Sequence, residues 1–462
     1  MLGSFRFAPF RGRILLTNDA GRYVFLTREE FDAFVRGGLP TDGECYAMLR
    51  ERLFCSDEPR EVYLRKAISA VQDNHAYLFG GTSLFILALT NRCNQRCTYC
   101  QAHGDCQVMD MNVLTARKAV ERIAASPEKS ICIEFQGGEP LMNPSVIREI
   151  VHCAQEALTD KRVSYSLVSN LTLMNEGMAD FIAQNGIAVS TSLDGPRALH
   201  DANRPSSDGK SSFDRMLRGL AMLRGRGIHV GAIQTTTRAS LPYANEIVHT
   251  YVQLGFDSVF LRPLTRLGVA KEQWGQIGYE PEEFISFYRD GLEAILEMNR
   301  QGYQMSESHA SIFLKKLLEG YSPNYMELRS PCGAGVGQMA ITASGDVYTC
   351  DEGRMLAEIG DRTFRLGNVY EDGYEDWIST DVCKAVSVAS LLETLPGCCD
   401  CVYQPYCGVC PVVQHALEGG LTSSQPNNTR CRIYRGMLDT IMTYLFENDP
   451  SIVGCLNEWV KT

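Results

Sequence analysis

From about residue 84 to residue 263 the chain alternates short apolar segments with amphipathic stretches. The apolar segments have the length and β-branched content of buried strands, and the stretches between them have helical spacing. This alternation predicts a parallel sheet with right-handed crossovers, which binds ligands at the carboxyl ends of its strands. A partial barrel and a doubly wound sheet both fit. The predicted strands are 84–89, 131–135, 163–169, 187–193, 228–235 and 258–263, and the predicted helices are 112–125, 144–157, 176–185, 212–226 and 241–254.

The composition restricts the class of protein. The chain has 462 residues, of which 45% are hydrophobic and 21% charged, which excludes a mainly disordered or low-complexity chain. Lys and Arg number 44 against 55 Asp and Glu, a formal net charge of −11, so a basic nucleic-acid footprint is missing. No apolar run approaches the roughly 20 residues of a membrane-spanning helix. We therefore expect neither nucleic acid nor a membrane as a partner.

The first 80 residues form a separate predicted unit. Two strands flank the turn at 19–21, and Thr27 with Glu30 forms a capping box before a helix over 28–37. Such a small α+β unit either binds an extended peptide along its sheet edge or packs as a cap on the next domain. The predicted divisions are 1–80, a strand–helix domain over 84–275, a helical bridge over 276–329, a cysteine-rich region over 330–440 with few long periodic segments, and a C-terminal helix over 441–462.

Cysteine is unusually frequent, with 18 residues. Arginines interrupt the N-terminus, which lacks a continuous apolar segment, so we expect no signal peptide and a cytoplasmic location. Thiols stay reduced in that compartment, and clustered cysteines then favour metal over disulfides. The scattered cysteines are interpreted as small buried hydrophobic residues, namely Cys45, Cys55, Cys106, Cys132, Cys153, Cys383 and Cys455.

A cysteine triplet follows the first predicted strand. Cys93, Cys97 and Cys100 have the spacing CxxxCxxC, with Tyr99 before the third cysteine. A [4Fe–4S] cube usually takes four thiolates, so three in one loop would leave one iron open to a substrate or cofactor. Zinc is the alternative, but zinc sites usually pair two CxxC units across a long insert.

The segment CNQRCTYC (93–100) resembles the signature of radical S-adenosylmethionine (SAM) enzymes, and FQGGEP (135–140) resembles their GGEP motif. The resemblance implies a partial (β/α)6 barrel, in which SAM binds the open iron and is cleaved reductively to a 5′-deoxyadenosyl radical. It implies that the GGEP backbone contacts the SAM amino group, and that Arg204 in HDANR pairs with the SAM carboxylate; a solvated arginine is the alternative. The implied SAM-binding residues are Tyr99, Gly137, Gly138, Glu139, Pro140, Ser169, Asn170, Ser192, Asp194, Arg204 and Leu261.

The last third of the chain resembles the seven-cysteine SPASM domain, which carries two auxiliary [4Fe–4S] clusters. The spacing between Cys407 and Cys410 is two residues, where the family usually has three. The resemblance implies an outer cluster on Cys398, Cys401, Cys407 and Cys431, and an inner cluster on Cys332, Cys350 and Cys410. Structural zinc is the alternative.

The implied inner cluster has three ligands only. Sulfatase-maturating relatives carry a further cysteine where this chain has Gln338, so an iron is left open or takes a ligand from elsewhere, with Cys399 as a spare thiol. Asp351 follows Cys350, and in those relatives the corresponding Asp accepts the substrate proton. A capping or solvated Asp351 is the alternative.

The chain most resembles the His-Xaa-Ser-system radical SAM maturases, at segments 13–31, 191–205, 235–241, 260–268, 330–337, 345–369 and 395–408. The resemblance implies an enzyme that installs a thioether or carbon–carbon crosslink on a ribosomal precursor peptide, whose leader the N-terminal unit binds. It also implies SAM, three [4Fe–4S] clusters, and a reductant such as flavodoxin or ferredoxin. The alternatives are an anaerobic sulfatase-maturating enzyme and a non-catalytic iron–sulfur or zinc scaffold.

Overall fold

The computed structural model describes residues 1–102, 107–320, 322–423, 425 and 427–461. Cys106 and Thr462, which belong to two of the predictions above, lie outside these residues. Cys55 and Cys383 are buried, whereas Cys45, Cys132, Cys153 and Cys455 are half-buried. Within the described residues no helix has the length and apolar character needed to cross a membrane.

The N-terminal unit is a three-stranded antiparallel sheet followed by helices. The sequence predicted the second and third strands, and the structure adds a first strand at their edge. The capping box at Thr27 and Glu30 is present and begins the first helix. The elements are β1 (Arg6–Phe10), β2 (Arg13–Thr17), β3 (Tyr23–Leu26), α1 (Arg28–Arg36), α2 (Glu44–Glu51), α3 (Arg60–Asn74) and the 3₁₀ turn Ala76–Phe79.

Six parallel strands alternate with helices in the central part of the chain. They are β4 (Leu84–Ala88), β5 (Ser130–Gln136), β6 (Arg162–Val168), β7 (Ala188–Ser192), β8 (Val230–Thr235) and β9 (Ser258–Arg262). The helices are α4 (Val113–Ile123), α5 (Pro144–Ala157), α6 (Glu176–Gln184), α7 (Arg197–Asn203), α8 (Ser212–Arg224) and α9 (Ala244–Gln253), with 3₁₀ turns at Pro140–Met142 and Arg238–Tyr243.

The strand order decides between the partial barrel and the doubly wound sheet, both of which fit the sequence. The six strands lie side by side in chain order from β4 to β9, without the reversal that a doubly wound sheet requires. β4 pairs with a later strand and not with β9, so the barrel does not close. The predicted α/β fold with a partial barrel is therefore confirmed.

The remaining elements extend this sheet at both ends. A two-residue strand β10 pairs with β9, and β11 pairs in parallel with β4 and continues into β12 and β13. The elements between residues 330 and 428 are short, and the longest of these helices has nine residues. The elements are α10 (Val269–Glu272), α11 (Trp274–Ile277), α12 (Pro281–Arg300), β10 (Ser306–Glu307), α13 (Ser308–Leu314), the π turn Lys315–Glu319, β11 (Gln338–Ile341), β12 (Asp346–Tyr348), α14 (Asp351–Glu358), β13 (Arg365–Asn368), α15 (Tyr374–Ser379), α16 (Asp381–Ala389), the 3₁₀ turn Gln404–Tyr406, α17 (Pro411–Glu418), α18 (Thr429–Glu447) and α19 (Pro450–Lys461).

The N-terminal unit packs on the cysteine-rich region. Phe10 and Phe25 contact Phe446 of α18 edge-on, at ring-centroid distances of 5.9 and 5.1 Å. The Thr17 hydroxyl donates to the carbonyl of Val402 at 2.8 Å. These contacts place one face of the small sheet against the C-terminal third of the chain.

Glu307 is a fully buried carboxyl that joins the barrel to α13. It accepts hydrogen bonds from the amides of Leu261 and Ala310 and from the hydroxyl of Tyr288. Burial raises its pKa from 4.5 to about 7 despite these bonds. Between these two pH values the native state holds a proton that the unfolded chain has lost, so stability is lost as the pH rises.

Between pH 5 and pH 7.5 we expect the native chain to lose about 2–3 kcal/mol more free energy of unfolding than the variant Glu307→Gln does. Anaerobic urea unfolding of both proteins at the two pH values measures this difference. An equal pH dependence in the two proteins would contradict the assignment.

Candidate active site

The cysteine triplet lies in the loop that follows β4, at the carboxyl end of the barrel strands. Burial raises the pKa of Cys93 to about 11 and that of Cys97 to about 12, and the negative charge of Cys100 contributes to both increases. The three sulfur atoms are therefore close neighbours. Thiols whose pKa is raised this far need a cationic centre to become thiolates, which an iron cluster supplies.

The two glycines of GGEP lie directly against the cysteine loop. A Cβ atom at Gly137 would lie 2.3 Å from the carbonyl oxygen of Thr90, and one at Gly138 would lie 2.2 Å from that of Arg92, so neither position tolerates a side chain. The Gly138 amide donates to Thr90 at 2.7 Å. The Gly138 amide is therefore already hydrogen-bonded. The carbonyl oxygens of the GGEP segment could accept hydrogen bonds from a SAM amino group. Pro140 is buried and begins a 3₁₀ turn.

Glu139 ties this loop to the end of β6. Its buried carboxylate accepts from the Ser169 hydroxyl at 2.7 Å and from the Asn170 amide at 2.9 Å. Glu139 therefore acts as a positioning residue in this structure. The Asn170 side-chain amide in turn donates to Asn94, beside Cys93, at 3.0 Å. Asn94 was not predicted as a site residue, because nothing in the sequence indicates its contact with Asn170.

Asp194 and Arg204 form a buried pair beside Cys97. Arg204 Nε donates to Asp194 Oδ1 at 3.1 Å, and the Tyr99 hydroxyl donates to Asp194 Oδ2 at 2.6 Å. The Arg204 guanidinium lies 5.2 Å from the centroid of the Tyr99 ring, and its Nη1 lies 3.9 Å from Cys97 Sγ. Arg204 is 8% exposed, so it is not a solvated loop arginine. Tyr99 thus joins the cysteine loop to the end of β7.

His200 in the HDANR segment was not singled out from the sequence. Burial lowers its pKa to about 4, which keeps the ring neutral, and its Nδ1 accepts from the Asp194 amide at 3.4 Å. Its aromatic neighbour in α8 is Phe213. Nothing in the sequence around His200 indicates that its ring contacts the Asp194 amide.

The last two predicted SAM contacts lie at strand ends. Ser192 is the last residue of β7 and pairs with Ile233. The Leu261 side chain points towards Gly291 of α12, and its backbone amide donates to Glu307 at 3.1 Å. The adjacent Arg262 binds Glu327 at 2.7 Å, and Glu327 also binds Arg430 at 3.1 Å.

The four predicted outer-cluster cysteines line one small cavity of about 30 Å³. Burial raises the pKa of Cys398 and of Cys407 to about 12, and the charges of Cys431 and Cys401 raise both further. The structure therefore brings together the set that the resemblance implied, namely Cys398, Cys401, Cys407 and Cys431.

The three predicted inner-cluster cysteines form a second buried group, separate from the first. Cys350 is the N-cap of α14, where its sulfur accepts from the Gly353 amide at 3.4 Å, and Cys410 is the N-cap of α17. Burial raises the pKa of the Cys350 thiol, and the charges of Cys410 and Cys332 add to this increase. Cys410 thus lies with the inner set despite its shortened spacing.

Asp351, the predicted proton acceptor, is held in an ion pair. Nε and Nη2 of Arg354 both donate to Asp351 Oδ1, at 2.8 and 2.6 Å, and the Arg354 side chain is fully buried. Sequence reasoning did not consider this i,i+3 partner. A catalytic role for Asp351 stays a prediction.

Within the described residues no three His, Cys, Asp or Glu side chains converge as the ligands of a single metal ion do. A [4Fe–4S] cube carries each thiolate on a different iron, so its ligands surround a larger space than one ion fills. The three cysteine groups fit the donor chemistry of such clusters.

A family model described as "Radical SAM superfamily" matches residues 87–243 of this chain. This segment runs from β4 to the end of the turn before α9, and it holds the cysteine triplet, the GGEP loop and the Asp194–Arg204 pair. The chain is therefore an enzyme of the Radical SAM superfamily. Membership implies SAM and a [4Fe–4S] cluster.

Three relatives are similar to this chain. An uncharacterized protein of Methanocaldococcus jannaschii is 34% identical over 39% of this chain and 62% of its own length, so the match spans under two thirds of that relative. An uncharacterized protein of Methanothermobacter thermautotrophicus is 31% identical over 43% of this chain and 74% of its own. A cysteine-type anaerobic sulfatase-maturating enzyme of Clostridium perfringens is 24% identical over 65% of this chain and 80% of its own.

Two solved structures share the fold. Histidine-tagged anSMEcpe with bound AdoMet has a TM-score of 0.70 at 20% identity, and the match covers 82% of this chain and 96% of that one. Streptococcus suis SuiB bound to the precursor peptide SuiA has a TM-score of 0.57 at 12% identity, with 93% of this chain and 99% of that one covered. At these identities the likeness concerns the fold alone.

Proposed function

We propose that this enzyme modifies a ribosomally made precursor peptide, installing an oxidative crosslink as a thioether or a carbon–carbon bond. The observation that carries the proposal is a cavity of about 420 Å³ between the N-terminal unit and the cysteine-rich region. Its wall runs from Gly21 in the β2–β3 turn, past Asn74 of α3, to Cys407 of the proposed outer cluster. An extended peptide bound to the N-terminal unit would lie along this wall.

The N-terminal unit, residues 1–80 in our proposal, presents an apolar surface for such a peptide. Leu64 and Ile68 lie one helical turn apart on α3 and are both exposed, and Phe79 beyond α3 is 76% exposed. The sheet leaves the outer edges of β1 and β3 without a partner strand among the described residues. An unpaired sheet edge is a surface to which an extended peptide adds as a strand. The SuiB structure, which has the same fold, contains a precursor peptide.

SAM held at the cluster would supply the radical chemistry that removes a hydrogen atom from the substrate. Cys93, Cys97 and Cys100 would hold the cluster, and Arg204 would orient the SAM carboxylate.

In the lumen, the Glu134 carboxylate accepts hydrogen bonds from Gln136 at 2.6 Å and from Ser166 at 2.9 Å. Burial raises the pKa of Glu134.

We further propose two auxiliary [4Fe–4S] clusters at the outer and inner cysteine groups, which makes three in the chain. Their ligands must be reduced thiols, which favours a cytoplasmic location. Reduction of the SAM-binding cluster needs a one-electron donor such as flavodoxin or ferredoxin.

Formation of formylglycine on a sulfatase is the second candidate. It is favoured by the 24% identity to a sulfatase-maturating enzyme and by the TM-score of 0.70 to anSMEcpe. Gln338, which replaces a cysteine of those relatives, and the peptide-binding surface of the N-terminal unit support the crosslinking function instead.

Mass spectrometry separates the two functions. After co-expression with a short precursor encoded beside this chain, we expect the peptide to lose two hydrogens for each crosslink and to gain no aldehyde. An aldehyde on a sulfatase-motif peptide incubated with the reduced enzyme, with no change in the precursor, would support the second function and contradict the first.

Leader binding is tested on α3. We expect Leu64→Asp combined with Ile68→Asp to weaken binding of the precursor at least about tenfold, because two charges replace the apolar contact. Titration of the labelled precursor against the full-length enzyme measures the affinity. Val35→Asp is the matched control, since Val35 is an equally exposed apolar residue on α1. Equal affinities in the two variants would exclude this face of α3 from leader binding.

A further inference from the structure

Two buried cations line the cavity between the N-terminal unit and the cysteine-rich region. Lys316, in the π turn after α13, and Arg329, in the loop before β11, both belong to its wall. Lys316 is 6% exposed and Arg329 is 2% exposed. The cavity of about 420 Å³ has the size of a ligand pocket. Its wall therefore carries positive charge that is shielded from solvent.

The Lys316 ammonium has no acidic partner among the described residues. It donates to the backbone carbonyl of Leu328, which is a neutral acceptor. An ammonium carries three hydrogens, so Lys316 keeps donor capacity that no described residue takes up. Arg329 follows Leu328 in the chain, and its positive charge repels that of Lys316. A buried cation in this position is unfavourable unless an anion binds it.

The Arg329 guanidinium is also bound only to neutral groups among the described residues. Its Nε donates to the carbonyl of Pro331 at 3.1 Å, and its Nη1 donates to the Asn324 side chain. The centroid of the Tyr77 ring lies 4.1 Å from the guanidinium carbon. Nη2 makes no hydrogen bond with a described residue. The Ser322 hydroxyl in the same wall is shielded from solvent and likewise has no partner among these residues.

The acids that line the cavity do not neutralise these cations. Asp19 is bound to Arg6 at 2.7 Å. Glu393 accepts from the Ser330 hydroxyl and from the Gln404 side-chain amide, each at 2.6 Å, and it is exposed to solvent. Solvent screens an exposed charge far more than a buried one. An anion that enters the cavity would therefore be attracted most strongly to the buried cations.

We propose that this cavity binds the carboxylate of an acidic side chain, an Asp or a Glu, in the leader of the precursor peptide. The carboxylate would accept hydrogen bonds from Lys316, Arg329 and Ser322, and its charge would compensate both cations. The inference rests on the proposed function, in which the leader lies along this cavity. It adds a charged contact to the apolar contact at Leu64 and Ile68. A buried charged contact also specifies the register in which an extended peptide binds.

A double-mutant cycle tests the contact. The probe is the fluorescein-labelled precursor encoded beside this chain, in which each leader Asp or Glu is changed in turn to Asn or Gln. It is titrated anaerobically against the full-length holoenzyme. We expect one of these changes to weaken binding at least about tenfold, and Lys316→Met to weaken binding of the unchanged precursor by a similar factor. In Lys316→Met the same peptide change should have no further effect, because its partner is already absent.

Lys315→Met is the matched control. Lys315 is the adjacent lysine of the same π turn, but it lines a different cavity, beside β10. We expect this variant to bind the precursor as the native chain does and to keep the tenfold effect of the peptide change. A precursor with an amidated C-terminus distinguishes a leader side chain from the terminal carboxylate, and it should bind normally.

Several results would overturn the proposal. Native affinity in Lys316→Met, additive losses in the cycle, or a leader without Asp and Glu would exclude the contact, and a loss seen only with the amidated precursor would assign the carboxylate to the peptide terminus. Cys407 of the proposed outer cluster shares this wall, so a lower iron content in Lys316→Met with unchanged affinity would make the lysine a counterion of that cluster.

The fate of the precursor separates this inference from the proposed function. If the native chain crosslinks the precursor but the cycle shows no coupling, this inference alone fails. If the native chain neither binds nor modifies the precursor, the proposed function fails together with it.

Discussion

Cys97→Ala is expected to abolish 5′-deoxyadenosine formation and to lower the iron content by about four per chain. The Cys97 thiol has the charges of Cys93 and Cys100 close by and lies 3.9 Å from the guanidinium of Arg204. Two remaining thiols hold a cube poorly, and the SAM-binding iron is lost with it. Anaerobic incubation with SAM and dithionite, followed by quantification of 5′-deoxyadenosine, measures the effect directly.

The matched control is Cys153→Ala. Cys153 is a half-buried thiol of α5 that hydrogen-bonds Glu149 and lies outside the three cysteine groups. We expect it to keep the native iron content and full 5′-deoxyadenosine formation. A Cys97→Ala protein that still cleaves SAM would place the catalytic cluster elsewhere, and a native chain that forms no 5′-deoxyadenosine would support the non-catalytic scaffold.

The central strands could be predicted because each is a buried apolar run that ends at a polar or glycine-containing turn. β1 was missed because its sequence, RFAPF, contains Pro9, which normally argues against a strand. It is tolerated here because β1 lies at the sheet edge. β11 was missed because it is four residues long and its partner β4 lies about 250 residues earlier, so no local pattern indicates the pairing.

The candidate site, too, could be predicted only in part from the sequence. Cysteine spacing indicated three groups, because ligand spacing is a local property of the chain. The ion pair between Asp351 and Arg354 depends on how helix α14 packs. Likewise, nothing in the sequence near Tyr99 indicates that its hydroxyl reaches Asp194, which is 95 residues away.

Arg204→Met is expected to lower the free energy of unfolding by about 3–5 kcal/mol, because it leaves a buried carboxylate without its cation. Asp194 is fully buried, and in this variant only the Tyr99 hydroxyl and the Thr235 amide would still donate to it. The same change removes the guanidinium that we propose for the SAM carboxylate. We therefore also expect SAM affinity to fall at least about tenfold. Anaerobic denaturant unfolding and equilibrium dialysis with SAM measure the two effects separately.

Arg197→Met is the matched control, because Arg197 pairs with Asp214 at the protein surface, with 60% of its side chain exposed. An exposed pair contributes at most about 1 kcal/mol, so this variant should lose little stability and bind SAM normally. The variant Arg204→Met with Asp194→Asn removes both charges, and we expect it to recover part of the stability but none of the SAM affinity. That split distinguishes a ligand-binding arginine from a purely structural one, since a structural arginine would let both quantities recover together. If Arg204→Met and Arg197→Met destabilise the chain equally, the buried pair does not hold the cysteine loop against β7.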